Sequence, residues 1–191
     1  SIGTRSPQVM RLAGELADIA LVGARSIDAE LAAQYRAWLA EGATRAGRDP
    51  AAIDVAPRLT LCISRDGDLA RRSMKRYAAH YAAIIRSPDL QARDRGEWIA
   101  AVDAALARSS GWYFDYDRVD DKALDTLIDD DLVRRYAIAG TPDECIELVN
   151  AVLALGFDGA SMNLAAPRRD SMYAGLRETL ELSAEVLDGL R

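Results

Sequence analysis

Gly3-Thr4-Arg5-Ser6, leading into Pro7, brings together the groups that an anion site needs. Pro7 reads as the first residue of a helix, so backbone N–H groups there are free and sit at the positive end of the helix dipole. Arg5 adds a guanidinium, and Thr4 and Ser6 add two hydroxyls. A phosphate would be well received by that set. The plainer reading makes Ser6 a helix cap and Arg5 a solvated side chain.

A second group follows from where strands end. Gly23 and Ala24, Ser64 and Arg65, and Asn163 with Arg168 and Arg169 each come just after or at the end of a predicted strand. In a parallel barrel these positions form the rim where active sites are built. Arg168 and Arg169 have the chemistry to hold an anionic cofactor tail or a carboxylated substrate through charge-assisted hydrogen bonds; as two arginines in the polar loop AAPRRDS they also fit a solvated surface. Ser64 and Asn163 suit pocket lining better than catalysis. General acid–base groups are sparse. His80 is the one histidine and lies mid-helix beside Tyr77 and Tyr81, where packing explains it. Asp115, Asp117 and Asp120 lack the glycine-centred spacing of a calcium loop, and no metal site is expected. Trp112, Tyr113 and Phe114 beside them read as a lid or a contact surface. Cys62 and Cys145 have no CxxC or metal spacing and read as reduced packing thiols. No residue is singled out as catalytic.

The elements that must position these residues are legible in order. Ile2–Gly3 reads as the last residues of a strand. A helix from Pro7 carries Val9, Met10, Leu12, Ala13 and Leu16 on its apolar face. IALVG is a short buried strand. Ser26 or Asp28 caps a helix with Leu31, Tyr35, Trp38, Leu39 and Gly42 on one stripe, stopped by Gly47 and Asp49-Pro50. From Asp54 to Ser64, Val55, Pro57, Leu59, Leu61 and Ile63 share one parity and Arg58, Thr60, Cys62 and Ser64 the other. That alternation fits a barrel strand with its apolar side toward helices and its polar side toward the axis, and equally an amphipathic edge strand with Arg58 in water. Asp66 and Asp68 open a long helix with Met74, Tyr77, Tyr81, Ile84 and Ile85, broken at Ser87-Pro88. Residues 66–135 form a mostly helical excursion, including a helix from Glu97 to Ala107 and another through Leu124, Leu127, Ile128, Leu132 and Val133. YAIAG is a loop before a capping box of Thr141 and Glu144 around Pro142; Leu148, Val149, Val152 and Leu155 then give a helix that Gly156 ends. ASMNL is a buried strand, and a last helix carries Leu176, Leu180, Leu187 and Leu190.

Strands alternating with helices describe a piece of a parallel α/β fold. The chain has 191 residues, enough for one domain from 1 to 191, whereas a complete eight-stranded barrel needs about 250. With a net charge of −6, a nucleic-acid surface is not expected. No run of eighteen uncharged apolar residues suggests a membrane span, and SIGTRSPQVM lacks a signal-peptide core, so a cytoplasmic protein is expected.

Three of these stretches together resemble one family. SPQVMRLAGELADIALVG, EGATRAGRDPAAIDVAPRLTLCISRDGDLAR and YAIAGTPDECIELVNAVLALGFDGASMNL are similar, in order and spacing, to segments of luciferase-like flavin and deazaflavin oxidoreductases. The pattern is nearest the methylenetetrahydromethanopterin reductase-like branch, which uses coenzyme F420. The resemblance implies a (β/α)8 barrel of which this chain is the C-terminal portion, about strands five to eight, incomplete on its own. It implies that Gly3, Thr4, Arg5 and Ser6 contact cofactor phosphate, and that hydride passes between F420 and a small organic substrate. The alternatives are an FMN-dependent monooxygenase and a non-catalytic accessory subunit. It also implies an N-terminal barrel half or partner subunit, and a homo-oligomer.

Overall fold

The computed structural model describes residues 1–23, 28–85, 96–108 and 122–190. Ala24, Ser26, Ser87-Pro88 and the segment with Trp112, Tyr113, Phe114, Asp115, Asp117 and Asp120 lie outside the described residues. The chain divides into two compact units, Ser1–Thr60 with Glu147–Asn163 and Leu190–Arg191, and Leu61–Ile146 with Leu164–Gly189.

In the first unit, β1 (Ile2–Thr4) runs into α1 (Pro7–Leu16), β2 (Ile19–Val22), α2 (Ala29–Arg45), a 3-10 turn (Pro50–Ala52) and the start of β3 (Asp54–Ile63). The pairing is parallel: Ile2 faces Ala20 and Thr4 faces Val22, while Ile19 faces Asp54 and Val22 faces Pro57. Ala20, Val22 and Val55 on one parity are buried in a core with Met10 and Ala13 of α1 and Tyr35 and Leu39 of α2. Arg58 on the opposite parity is exposed. The apolar side of the strands therefore faces helices here, as in a barrel wall. Asp28 caps α2 by accepting from the Leu31 amide at 2.8 Å, a bond worth about 1 kcal/mol. Gly14 and Gly42 let α1 and α2 touch, since a Cβ on either would run into the other helix's backbone, at Leu39 O and Arg11 O respectively. One expectation fails: Leu12 and Leu16 do not belong to the buried face of α1, and Leu16 is 67% exposed.

In the second unit, the end of β3 pairs in parallel with β4 (Ile138–Gly140), Leu61 opposite Ile138 and Ile63 opposite Gly140. β4 corrects the reading of YAIAG as a loop. Around this pair lie α3 (Gly67–Ile85), α4 (Glu97–Arg108), α5 (Lys122–Leu127) and α6 (Asp130–Tyr136). α5 and α6 replace the single helix expected there, because Asp129 caps the second by accepting from Leu132 N–H at 2.8 Å. The core joins Cys62 and Ala139 to Met74, Tyr77, Val102, Leu124 and Val133. Cys62 and Ser64 are fully buried, so toward its C-terminus the polar parity of β3 is covered rather than open.

Two further elements complete the order: α7 (Pro142–Leu153) and β5 (Ser161–Leu164), followed by α8 (Met172–Asp188). The capping box forms as spaced, the Thr141 amide donating to Glu144 Oε2 at 2.8 Å and the Glu144 amide to Thr141 Oγ1 at 3.4 Å. Gly156, at φ +91°, takes the left-handed conformation that ends the segment. β5 pairs with β3 and is half-buried along its length, not buried. α8 also turns a different face inward: Gly175, Thr179, Leu182 and Val186 are buried, while Leu180 is 59% and Leu187 54% exposed. Thr179 ties α8 to the end of β3 and to the residue after β5, accepting from the Ile63 amide at 3.1 Å and donating to Ala165 O at 2.8 Å. No helix among the described residues is long and apolar enough to cross a membrane.

Candidate functional site

The register of β1, β2 and β3 places Thr4, Val22 and Pro57 on one level. A Gly23 N–H to Thr4 O bond of 3.2 Å extends the ladder one step further. Beyond that level a concavity of about 220 Å³ opens, lined by Gly3, Thr4 and Arg5, by Leu21, Val22 and Gly23, and by Arg58. Gly23 has a specific part in its shape. A Cβ there would stand 2.6 Å from Arg5 Cγ and 2.8 Å from Cδ, so the Arg5 side chain lies across the end of β2 only because residue 23 has none. Among the described residues, neither Arg5 nor Arg58 has an ion-pair or hydrogen-bond partner. Arg5 does reach Tyr35 electrostatically: burial raises the Tyr35 hydroxyl, and the Arg5 charge works against that rise.

Ser6 stands at the N-cap of α1 but makes no side-chain cap bond, contrary to the capping reading. Its hydroxyl donates to Gln8 Oε1 and its amide to Thr4 Oγ1, both at 2.8 Å. The Gln8 and Val9 amides therefore receive no cap from Ser6, and α1 presents its positive end beside Arg5. The structure thus brings Gly3, Thr4 and Arg5 together on the concavity, with Ser6 next to it in the turn.

The second predicted group separates. Ser64 and Arg169 meet at Glu178. Arg169 Nε donates to Glu178 Oε2 at 2.7 Å and Nη2 to Oε1 at 2.9 Å, and Nη2 also donates to Ser64 Oγ at 3.1 Å. The Ser64 hydroxyl donates to Glu178 Oε1 at 2.7 Å and accepts from the Asp66 amide at 3.0 Å. Hydrogen bonding from Arg169 is the main influence holding the Glu178 carboxyl below its ordinary value. This guanidinium is engaged by a carboxylate of its own chain, not open to a ligand. Arg168 instead lines a separate concavity of about 210 Å³ with Leu69, Arg72, Ser73 and Asp125, where its amide donates to Ser73 Oγ at 2.9 Å. Asn163, half-buried on β5, lines neither concavity.

Other titratable groups are structural in form. Arg65 pairs with Glu185. Arg71 is ringed by Asp68, Asp130 and Glu144, and the Thr141 amide holds the Glu144 carboxyl below its usual range. The His80 ring packs edge-on against Tyr81 with centroids 5.4 Å apart. Burial pushes the Cys145 thiol up to about 12 and the Cys62 thiol higher still, so both stay protonated at neutral pH and neither is an activated nucleophile. No metal-binding cluster of His, Cys, Asp and Glu occurs among the described residues. Arg58, which the residue types do not single out as a site residue, lines the same concavity as Arg5. The signal was present: it is the charged member of the polar parity of β3, level with the end of β1.

Comparisons with known proteins bear on this geometry. Residues 1–159 match the family model described as luciferase-like monooxygenase. A 5,10-methylenetetrahydromethanopterin reductase from Methanolobus tindarius is 30% identical over 157 residues, covering 81% of this chain and 44% of the reductase. The solved coenzyme F420-dependent tetrahydromethanopterin reductase from Methanopyrus kandleri superposes with a TM-score of 0.67 at 24% identity, over 99% of this chain and 50% of that one. The oxygenating constituent of 3,6-diketocamphane monooxygenase from Pseudomonas putida, solved with FMN, superposes with a TM-score of 0.52 at 20% identity, over 96% of this chain and 46% of that one. The chain spans about half the length of the relatives it matches.

Proposed function

The chain belongs to the luciferase-like monooxygenase family, and from that premise we propose that it forms part of an oxidoreductase that transfers hydride between coenzyme F420 and a small organic substrate. The observation that carries this reading is the concavity beyond β1, where Gly3, Thr4 and Arg5 meet the uncapped start of α1 with no counter-charge paired to Arg5 among the described residues. Those residues fit the phosphate of a flavin-type cofactor, and Ser6 contributes from the turn. The deazaflavin, when bound, supplies the hydride chemistry; the protein supplies position and charge. That division suits a chain whose thiols are protonated and whose histidine is a packing group. Thr4 and the α1 amides would orient the cofactor tail, and Arg5 would neutralise it. Asn163 and Arg168 would line the substrate side or the rim, with Ser64 and Arg169 supporting it from behind through their Glu178 bonds.

We further propose that a second barrel half, on the same polypeptide or on a partner subunit, completes the site, with residues 66–135 as a helical insertion. Its support is threefold. The chain spans half the length of its relatives. Among the described residues β1 pairs with β2 alone and β5 with β3 alone. On α8, Met172, Leu176, Leu180 and Leu187 form an exposed apolar stripe of about 80° of arc. A parallel strand edge and such a stripe are both covered when a barrel closes.

Likeness to an FMN-bound monooxygenase favours a second reading, in which FMN and oxygen replace F420. Titrating the native assembly with F420 and with FMN, by absorbance and fluorescence, separates the two. Tight binding of F420 supports the first reading and tight binding of FMN the second. Binding of neither by an intact assembly would leave a non-catalytic accessory subunit. Within the F420 reading, Arg5→Ala weakens binding; unchanged affinity would remove the assignment of this loop.

A further inference from the structure

We infer that Arg58 is the second arm of a two-arginine site for a phosphate ester, reaching from β3 into the concavity that Arg5 enters from β1. The inference rests on the reading of the β1 loop as a phosphate site and adds a residue from a different strand to it.

The argument begins with charge. Most described arginines have an acid at hand: Arg11 pairs with Glu41, Arg36 with Asp158, Arg45 with Glu15, Arg134 with Asp131 and Arg169 with Glu178. Arg5 and Arg58 have none among the described residues, yet they line the same concavity. Two guanidinium groups without a counter-charge repel each other, and in a chain of net charge −6 acids were available to neutralise them. Geometry adds a second line. Arg5 lies across β2 toward β3 by crossing the bare Cα of Gly23, and any side chain there would displace it. Arg58 follows Pro57, which is level with Val22 and Thr4, and leaves the strand on the face away from the α1–α2 core. The two arms thus come from opposite sides of one opening that also carries the Thr4 hydroxyl.

Ligand chemistry follows from these donors. Two planar forks, each able to bind two oxygens, match a tetrahedral oxyanion that offers several oxygens. A phosphate monoester carries about −1.5 to −2 at neutral pH and offsets both cations, whereas one carboxylate offsets one. The ester belongs either to the cofactor or to a phosphorylated substrate.

Calorimetric titration of the full chain with inorganic phosphate tests the site. Arg58 is exposed, so Arg58→Ala and Arg58→Lys should keep the wild-type unfolding midpoint. Arg58→Ala is expected to lose roughly tenfold in phosphate affinity, as one charge-assisted contact is worth about 1.5 kcal/mol or more, and Arg58→Lys to keep part of it. Riboflavin and FMN, which differ by the phosphate alone, separate the two sources. If the preference for FMN shrinks in Arg58→Ala, the ester is the cofactor's. If phosphate binding needs Arg58 yet phosphate and FMN bind together, it is a substrate's. Phosphate affinity unchanged in Arg58→Ala but weakened in Arg5→Ala would overturn the second arm and leave the loop reading intact. Affinity unchanged in both would remove the loop reading as well.

Discussion

At the end of β1 an arginine crosses a glycine into an open concavity; after β5 another arginine closes on a glutamate. Arg5 and Arg169 are the same residue type, and both follow strands at positions where a barrel builds its rim. What separates them is the neighbourhood. Glu178 presents both carboxylate oxygens to Arg169 and shares a bond with Ser64, whereas among the described residues no acid pairs with Arg5 or Arg58. A guanidinium that its own chain neutralises fixes the fold, and one left without a counter-charge is ready for an anion from outside. Substitutions in the first region should therefore change stability and spare binding, and those in the second should do the reverse.

The largest effect is expected at Thr179, which anchors α8 in the Ser64–Glu178 region. Thr179→Val leaves the buried Ile63 amide without its acceptor, which costs about 1–3 kcal/mol. Urea unfolding would read this as a lower midpoint with an unchanged slope, while phosphate affinity stays as in wild type. Next comes Arg5→Ala, expected to weaken phosphate or cofactor binding roughly tenfold or more, with the unfolding free energy moved by no more than about 0.5 kcal/mol. A stability loss larger than the binding loss would erase the contrast between the regions.

The pH response sharpens the comparison at a smaller scale. Arg169 holds Glu178 below its ordinary value, so the pair contributes stability above the unfolded carboxyl value of about 4.3 and loses it as pH falls through the folded one. Glu178→Gln should flatten the acid side of the stability profile and cost no more than about 1 kcal/mol at neutral pH, because the pair is partly solvated and screened. A profile as steep as that of wild type would show the pair contributes nothing. The smallest effect belongs to Gly23→Ala. Its methyl must push Arg5 aside, and a flexible side chain moves cheaply, so a loss of a few-fold in anion affinity is expected. An anion affinity that rises instead would mean Arg5 binds better from another position.

Features set by a few neighbouring residues were legible in the sequence. The Thr141–Glu144 box, a cap on α2 at Ser26 or Asp28 and a stop at Gly156 each depend on local chemistry; the box forms, Asp28 supplies the cap and Gly156 is left-handed. Faces were harder. The leucines of α8 do recur at helical spacing, but the apolar arc is wider than the part in contact, and periodicity does not say which half finds a partner. The buried half is the less conspicuous one, with Gly175 and Thr179 in it. Leu12 and Leu16 of α1 misled for the same reason. β4 was missed because three residues carry no period, and the α5–α6 break because one aspartate cap outweighs a continuous run of leucines. Of the candidate site, the β1 loop is readable from its residue types, whereas Arg58 reads from sequence only as the charged member of its strand face. That Arg169 is neutralised and Arg58 is not depends on Glu178, more than a hundred residues from Ser64, and on Arg58 having no acid partner among the described residues. Neither fact is written in local spacing.

The most direct measurement is F420 affinity, by fluorescence titration of the native assembly, for the wild type, Arg5→Ala and Arg169→Ala side by side. The account predicts a loss of roughly tenfold or more for Arg5→Ala and little change for Arg169→Ala, whose cost should appear in stability. Equal losses in the two variants, or a loss confined to Arg169→Ala, would contradict it.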